Sequence, residues 1–175
     1  MNRFHRAAEN RPPKPAQPGS EYGIESGLFS RPASQTPRAL FAPLHYERNY
    51  AYPLLVWLHG PGADERQLMR IMPVVSMRNY VAVAPRGLPI LQPDGKEVWG
   101  WSQSPEQIQQ AEQQILDCVE DAQRRFHIAP NRLFLAGFDS GGTMAFRLAM
   151  SYPRRFAGVL SIGGGFPRGQ NPLGQ

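Results

Sequence analysis

Cysteine is nearly absent: Cys118 is the single one among 175 residues. That excludes an intramolecular disulfide and any cysteine-cluster metal site. The lone thiol fits a reducing compartment. It falls in an amphipathic stretch and reads as a buried core thiol. Long apolar runs are missing too. None approaches the roughly 20 residues that span a bilayer, and the N-terminus lacks the apolar centre of a secretory signal. The expected location is therefore cytoplasmic. The body of the chain has no basic stripe interleaved with aromatics, which argues against nucleic acid as a partner. No cofactor motif and no metal-ligand spacing is seen, so neither is expected. Histidine is scarce: His5, His45, His59 and His127 are all there is, and none follows residue 127.

What is present suits one soluble domain with a sizeable core, since 41% of residues are hydrophobic and 10% aromatic. The net charge is +5. Much of the excess comes from Arg3, Arg6, Arg11 and Lys14 in MNRFHRAAENRPPKPAQPGS. Residues 1–20 lack periodicity and read as a disordered, basic, proline-rich tail. Residues 21–175 read as the N-terminal part of a domain.

Two kinds of segment alternate along that domain. Pro53–Leu58 and Tyr80–Ala84 are continuous apolar runs, as expected for strands buried on both faces. Asn131–Ala136 and Phe156–Ile162 read as two more. Between them lie helices. Asp64 is a candidate N-cap, with Gln67 at the capping-box position and Leu68, Ile71 and Met72 as the apolar face. Pro73 ends or kinks that helix. Ser104 and Gln107 form a second candidate box, with Pro105 at the first helical position. Ile108, Ala111, Ile115, Val119, Ala122 and Phe126 then follow at spacings of three and four, one apolar stripe. Ser140–Ser151 is the third helix. Residues 22–50 are weakly patterned; RALFAPLHYERN is a candidate for a strand or a hairpin arm, which Pro43 limits to an edge position. The pattern predicts an α/β fold, a doubly wound and mostly parallel sheet. No helix follows Phe156–Ile162, so the sheet is expected to be cut off after about six strands, with that strand as an open apolar edge prone to self-association.

The stretch LFLAGFDSGGTMAFRLAM carries the chemistry. A strand, a glycine turn and a helix hold the apex side chain over the edge of the sheet and aim the first helix N–H groups at whatever binds there. The catalytic form of this turn is G-x-S-x-G. Here Gly137 and Gly141 are in place, Asp139 holds the middle, and Ser140 comes one residue late.

Together with Leu58-His59-Gly60-Pro61-Gly62, Ala84-Pro85-Arg86-Gly87 and the Trp99/Trp101 pair, this turn resembles the phospholipase/carboxylesterase branch of the α/β-hydrolases. Acyl-protein thioesterases and dienelactone hydrolase are relatives. The likeness spans roughly residues 50–165. It implies hydrolysis of carboxylic esters or thioesters through an acyl-enzyme, a small ester or thioester as substrate, and an oxyanion pocket around Gly60, Pro61, Gly62, Gly141 and Trp101. It also implies a structural role for His59. The Trp99/Trp101 pair fits either a pocket wall or packing under a loop, and Arg86 either an anion site or a surface salt bridge.

Three departures bear on that activity. Asp139 occupies the nucleophile position. Pro61 stands where the family has an oxyanion-hole N–H, and proline has none; Gly62 is the possible substitute, and the Ser140 N–H is the other donor. The triad order in this fold is nucleophile, acid, histidine, and no histidine follows the turn. Asp139 then has three readings: a helix N-cap in an elbow that has lost its chemistry, an aspartate nucleophile as in haloalkane dehalogenases and epoxide hydrolases, or a bystander to a shifted Ser140 nucleophile. The Asp-Ser-Gly-Gly likeness to trypsin-like proteases fails on context, since that fold is all-β. The expectation is a hydrolase-family protein inactive as the chain stands. The alternatives are a non-catalytic binding homologue and an aspartate-nucleophile hydrolase in a longer chain.

Overall fold

The computed structural model describes residues 36–169. The tail at 1–20, His5 and the start of the domain at 21–35 lie outside the described residues.

Five strands form the main sheet: β1 (Arg38–Phe41), β2 (Tyr52–Leu58), β3 (Val81–Pro85), β6 (Ile128–Phe138) and β7 (Gly158–Ile162). Their order is β1-β3-β2-β6-β7. β1 runs antiparallel to β3, and the other pairs are parallel. The central strand β2 is buried along its whole length, as its unbroken apolar run requires in a sheet covered on both faces. Among the described residues the main sheet has five strands, close to the six expected, and a separate antiparallel hairpin pairs β4 (Leu88–Leu91) with β5 (Glu97–Gly100). Its turn has Gly95 at φ 80°, which a glycine adopts without a Cβ penalty.

Three helices cover the sheet: α1 (Leu68–Val75), α2 (Pro105–Arg125) and α3 (Ser140–Ser151). Alternation along the strands divides the core in two. Leu54, Val56, Leu58, Val83 and Leu135 pack with Ile115 and Val119 of α2 and Met144 and Leu148 of α3. Leu55, Trp57, Ala82 and Ala136 pack on the opposite face with Leu68 and Met72 of α1. Cys118 is buried in the first of these layers, and burial pushes its thiol pKa up to about 12.

The helix ends depart from the capping-box expectation. Asp64 accepts from the Arg66 N–H, but it caps a short 3₁₀ turn (Glu65–Gln67) ahead of α1. Gln67 accepts from the Trp57 indole at 2.8 Å instead of closing a box. Ser104 precedes α2 without a side-chain cap bond. Pro73 sits inside the last turn of α1, which ends two residues later at Val75. Asp121 ties α2 to β1: Arg38 reaches its carboxylate at 2.6 Å, with Arg124 at 3.3 Å and Arg125 at 3.0 Å. Burial alone would raise the Asp121 pKa, but these guanidinium groups hold it below the usual carboxylate range.

Candidate active site

β6 runs straight into α3 through Phe138 and Asp139 at the C-terminal edge of the parallel strands. The turn is tight because its glycines leave no space for side chains. A Cβ on Gly137 would lie 2.5 Å from the Gly141 carbonyl, and one on Gly141 would overlap the carbonyl oxygen of Leu58 and lie 2.5 Å from that of His59. The first turn of α3 is thus pressed onto the end of β2.

That packing forces the apex. Asp139 has φ 50° and ψ −120°, a region that side chains other than glycine occupy at a cost of about 1–3 kcal/mol. Its N–H donates to the Ile162 carbonyl at 2.8 Å, and its own carbonyl accepts from the Thr143 N–H at 3.0 Å. The side chain is exposed and makes no capping bond. Of the cap reading the position holds and the bond does not: Asp139 stands at the N-cap position of α3, and its side chain makes no capping hydrogen bond. Ser140 is the first residue of α3 and half-buried.

The loop after β2 lies beside this turn. The ring of Phe138 lies against Gly60, where a Cβ would come within 2.6 Å of it. Gly60 to Ala63 forms a β-turn closed by Ala63 N–H to Gly60 carbonyl at 3.2 Å, with Gly62 at φ 70°. Proline second and glycine third is the pattern of a type II turn. Pro61 has no N–H and that of Ala63 closes the turn, which leaves Gly62 to supply a donor. Pro61 and Gly62 are exposed and Gly60 buried.

His59 anchors the loop from below. It is fully buried. Its Nε2 accepts from the Gly87 N–H at 2.9 Å, and its Nδ1 lies 2.9 Å from the Gly60 carbonyl. An acceptor at Nε2 and a donor at Nδ1 define the neutral ring. Burial lowers its pKa, against the opposing pull of the Gly60 carbonyl. Trp101 is buried as well, its indole N–H donating to the His59 carbonyl at 2.8 Å. Trp101 thus packs under the loop and supports the turn. Arg86 is neither an open anion site nor a surface pair. It makes two bonds of 2.6 Å to the Glu65 carboxylate, with its guanidinium 4.9 Å from the Trp99 ring centroid.

The structure thus gathers Gly60, Pro61, Gly62, Gly141, Asp139 and the start of α3 at one sheet edge, and puts Trp101 a layer below. The remaining described histidines sit elsewhere: His45 is exposed at φ 58° in the loop after β1, and His127 pairs through Nδ1 with the Arg48 carbonyl at 3.1 Å. The segment from Gly163 reads as a loop in the sequence, and the structure agrees, but its place beside the apex was not foreseen. Gly164 lies against the Asp139 carbonyl and the Thr143 N–H, and Thr143 Oγ1 donates to the Gly165 carbonyl at 2.9 Å. The run Gly163-Gly164-Gly165 was the available signal.

A mostly parallel sheet covered on both faces, with a strained strand–turn–helix apex at its C-terminal edge, defines an α/β-hydrolase fold. The chain belongs to the phospholipase/carboxylesterase family, whose model matches residues 45–171. It is 31% identical over 121 residues to the esterase-type protein NocK of Nocardia uniformis subsp. tsuyamanensis, a match covering 66% of this chain and 33% of that one. The structure is similar to a Bacillus cereus carboxylesterase (TM-score 0.60, 17% identity, 81% of this chain and 66% of that one). It is also similar to acyl-protein thioesterase 2 of Zea mays (TM-score 0.56, 15% identity, 76% and 64%) and to Arabidopsis thaliana SOBER1 (TM-score 0.57, 17% identity, 67% and 63%). At these identities the structural likeness concerns the fold. The chain spans about a third of NocK and under two thirds of SOBER1. Among the described residues no helix is long and apolar enough to cross a membrane, and none group as a metal site.

Proposed function

We propose that this chain carries the substrate-binding edge of a carboxylesterase-type site and takes small carboxylic esters or thioesters there without turning them over. One observation carries the reading. Asp139 keeps the strained apex geometry, φ 50° and ψ −120°, with an exposed carboxylate where the reacting side chain of this fold belongs. In this reading the Ser140 and Gly62 amides are the donors for a carbonyl oxygen. A carboxylate attacking an acyl carbon would leave a mixed anhydride, and its hydrolysis needs an activated water. The ring of His59 is committed on both nitrogens, and that of His127 is held by Arg48. His45, the third described histidine, is exposed in the loop after β1, so the reading assigns no described histidine as the base for that water.

The test is p-nitrophenyl butyrate hydrolysis by the full chain, alongside ester-induced shifts of the Gly62 and Ser140 amide resonances. The expected result is shifts at those amides and no turnover above the buffer rate. Turnover that disappears in Asp139→Ala would establish the aspartate-nucleophile alternative. A fluorophosphonate adduct on Ser140 would establish the shifted-serine one.

A further inference from the structure

We propose that the Asp139–Ser140 linkage is a site of spontaneous succinimide formation and aspartate isomerisation in the folded protein. The inference goes beyond the ester-site reading and does not depend on it.

The torsion angles at Asp139 favour ring closure. Succinimide formation joins the Asp Cγ to the next backbone nitrogen in a five-membered ring of Cα, C, N, Cγ and Cβ. That ring is nearly flat, so the Cβ–Cα–C–N torsion must lie near zero. At an L-residue this torsion exceeds ψ by about 120°, from the tetrahedral arrangement and hand of the Cα. A helical ψ near −42° puts it at about 80°, and a strand ψ near +135° puts Cβ far on the other side. Ring closure from either state requires a large backbone rotation. Asp139 has ψ −120°, which eclipses its Cβ with the Ser140 nitrogen. The fold holds the residue in the conformation that closure needs, and the glycine contacts that impose it are those of the elbow. Asp64, with ψ −173°, is well off this alignment, and its carboxylate is bound by Arg66.

Three further features favour the reaction at Asp139. Its carboxyl makes no capping bond and is exposed to water. Ser140 is the first residue of α3, and the first N–H groups of a helix have no intrahelical acceptor. Its side chain is small and unbranched at Cβ. A serine at the apex would have no carbonyl carbon for the amide nitrogen to attack, so the vulnerability comes with the aspartate.

The step balances without an added oxidant or reductant. The Ser140 nitrogen attacks Cγ of the protonated carboxyl, the N–Cγ bond forms and the Cγ–OH bond breaks. The hydroxyl leaves with the amide hydrogen as water. Solvent water then opens the ring. Attack at Cγ restores aspartate, and attack at the α-carbonyl leaves isoaspartate, with the chain running through Cβ and Cγ. The extra backbone atom breaks the register of the Thr143-to-Asp139 bond that starts α3.

The experiment ages the full chain at neutral pH, folded and in urea, followed by tryptic mapping. Leu133–Arg147 contains Asp139 as its sole aspartate and no asparagine. Isoaspartate is read by chromatographic separation and electron-transfer fragment ions, and succinimide by the loss of one water. The expected result is isomer at Asp139 accumulating several-fold faster in the folded chain than in urea, and none at that position in Asp139→Glu. Asp139→Asn has the same torsion and a better leaving group. It is expected to convert to the acid faster still, and again faster when folded. The Asp94-Gly95 pair in peptide Gly87–Lys96 provides the clock for a sequence-driven reaction. Equal or slower reaction at residue 139 in the folded chain, for both aspartate and asparagine, would overturn the proposal. So would an unchanged Leu133–Arg147 while Gly87–Lys96 isomerises.

Discussion

The backbone N–H of Asp139 donates to the carbonyl oxygen of Ile162 at 2.8 Å. The apex of the elbow is thereby fastened to the end of β7, and its amide is no longer available to a ligand. The next amide, on Ser140, is the first of α3 and is the elbow donor on which the proposed ester site draws. The same bond helps to hold Asp139 at positive φ, so the strain and the donor arrangement have a common origin.

That strain is measurable. Asp139→Gly is expected to raise unfolding free energy by about 1 kcal/mol. Relief of roughly 1–3 kcal/mol of backbone strain outweighs the roughly 0.5–1 kcal/mol of extra chain entropy that glycine brings. Asp139→Val is expected to lower it by about 2 kcal/mol, because a β-branched residue tolerates positive φ least. Urea denaturation of both variants decides it; a glycine variant less stable than the parent would show that the apex is relaxed.

Gly141 and Gly142 give a sharper contrast. Alanine at 141 would drive its methyl into the Leu58 and His59 carbonyl oxygens, which are backbone atoms of the central strand's end. Alanine at 142 would meet chiefly the Ser161 hydroxyl, which can rotate away. Gly141→Ala is expected to cost about 3 kcal/mol, the upper end for overpacking, and Gly142→Ala about 1 kcal/mol. Equal losses in thermal or urea unfolding would mean that α3 can slide off β2.

His59 makes stability depend on pH. Its folded pKa is lowered from 6.5, so the unfolded chain binds a proton that the native ring refuses. Stability is therefore complete above about pH 6.5 and falls as pH drops below it. Protonation would place a second donor on Nε2 opposite the Gly87 N–H. The carboxylates Asp64 and Asp121, whose pKa values are lowered from 3.8, act in a separate window, losing their contribution only as pH falls below that value. Urea midpoints measured from about pH 7.5 to about pH 5 should decline in the parent and flatten in His59→Gln. An unchanged slope in the variant would assign the effect elsewhere.

Much of this fold was legible in the sequence, and the reasons are particular. β2 and β3 announce themselves as unbroken apolar runs, and α2 as a stripe whose Ala111, Ile115, Val119 and Ala122 are all buried. The β4–β5 hairpin was not legible, because four-residue strands with half-exposed faces carry little periodicity. At the site, the glycine spacing located the turn but not its consequence. Aspartate before a helix suggests a cap by local preference, and the packing of Gly137 and Gly141 overrides that preference. Nor could residue types show that Arg86 pairs with Glu65, since the partner is chosen by how two loops meet.

The Arg86–Glu65 pair is expected to hold those loops together. The Glu65 side chain is 9% exposed and that of Arg86 24%, so water screens the pair only in part. Removing one partner of a buried pair costs about 3–5 kcal/mol, and the partial exposure here reduces the expectation for Glu65→Gln to about 2 kcal/mol. The double variant Glu65→Gln/Arg86→Met should recover part of the loss, because it no longer leaves a cation without its carboxylate. A double-mutant cycle by urea denaturation gives the coupling. Additive losses would mean that the Trp99 ring, not Glu65, positions Arg86.

The edge at β7 bears on how the chain behaves at high concentration. Among the described residues β7 pairs only with β6. Register places Leu160 beside Ala136 and Ile162 beside Phe138, all on one face. Leu160 is 58% exposed, Ile162 44% and Phe138 45%, so the side of β7 that has no partner strand among the described residues is flanked by an apolar surface. An edge of that kind is a template for a second strand. We expect two copies to pair through β7, with dimer rising as concentration increases. Leu160→Lys and Ile162→Lys place charge on that surface at exposed positions, where substitutions change stability by about 0.5 kcal/mol or less. Either should move the sedimentation profile towards monomer while leaving the unfolding midpoint nearly unchanged. A parent chain that sediments as a monomer across the whole concentration range would show that the edge is protected, and would remove β7 as an interface.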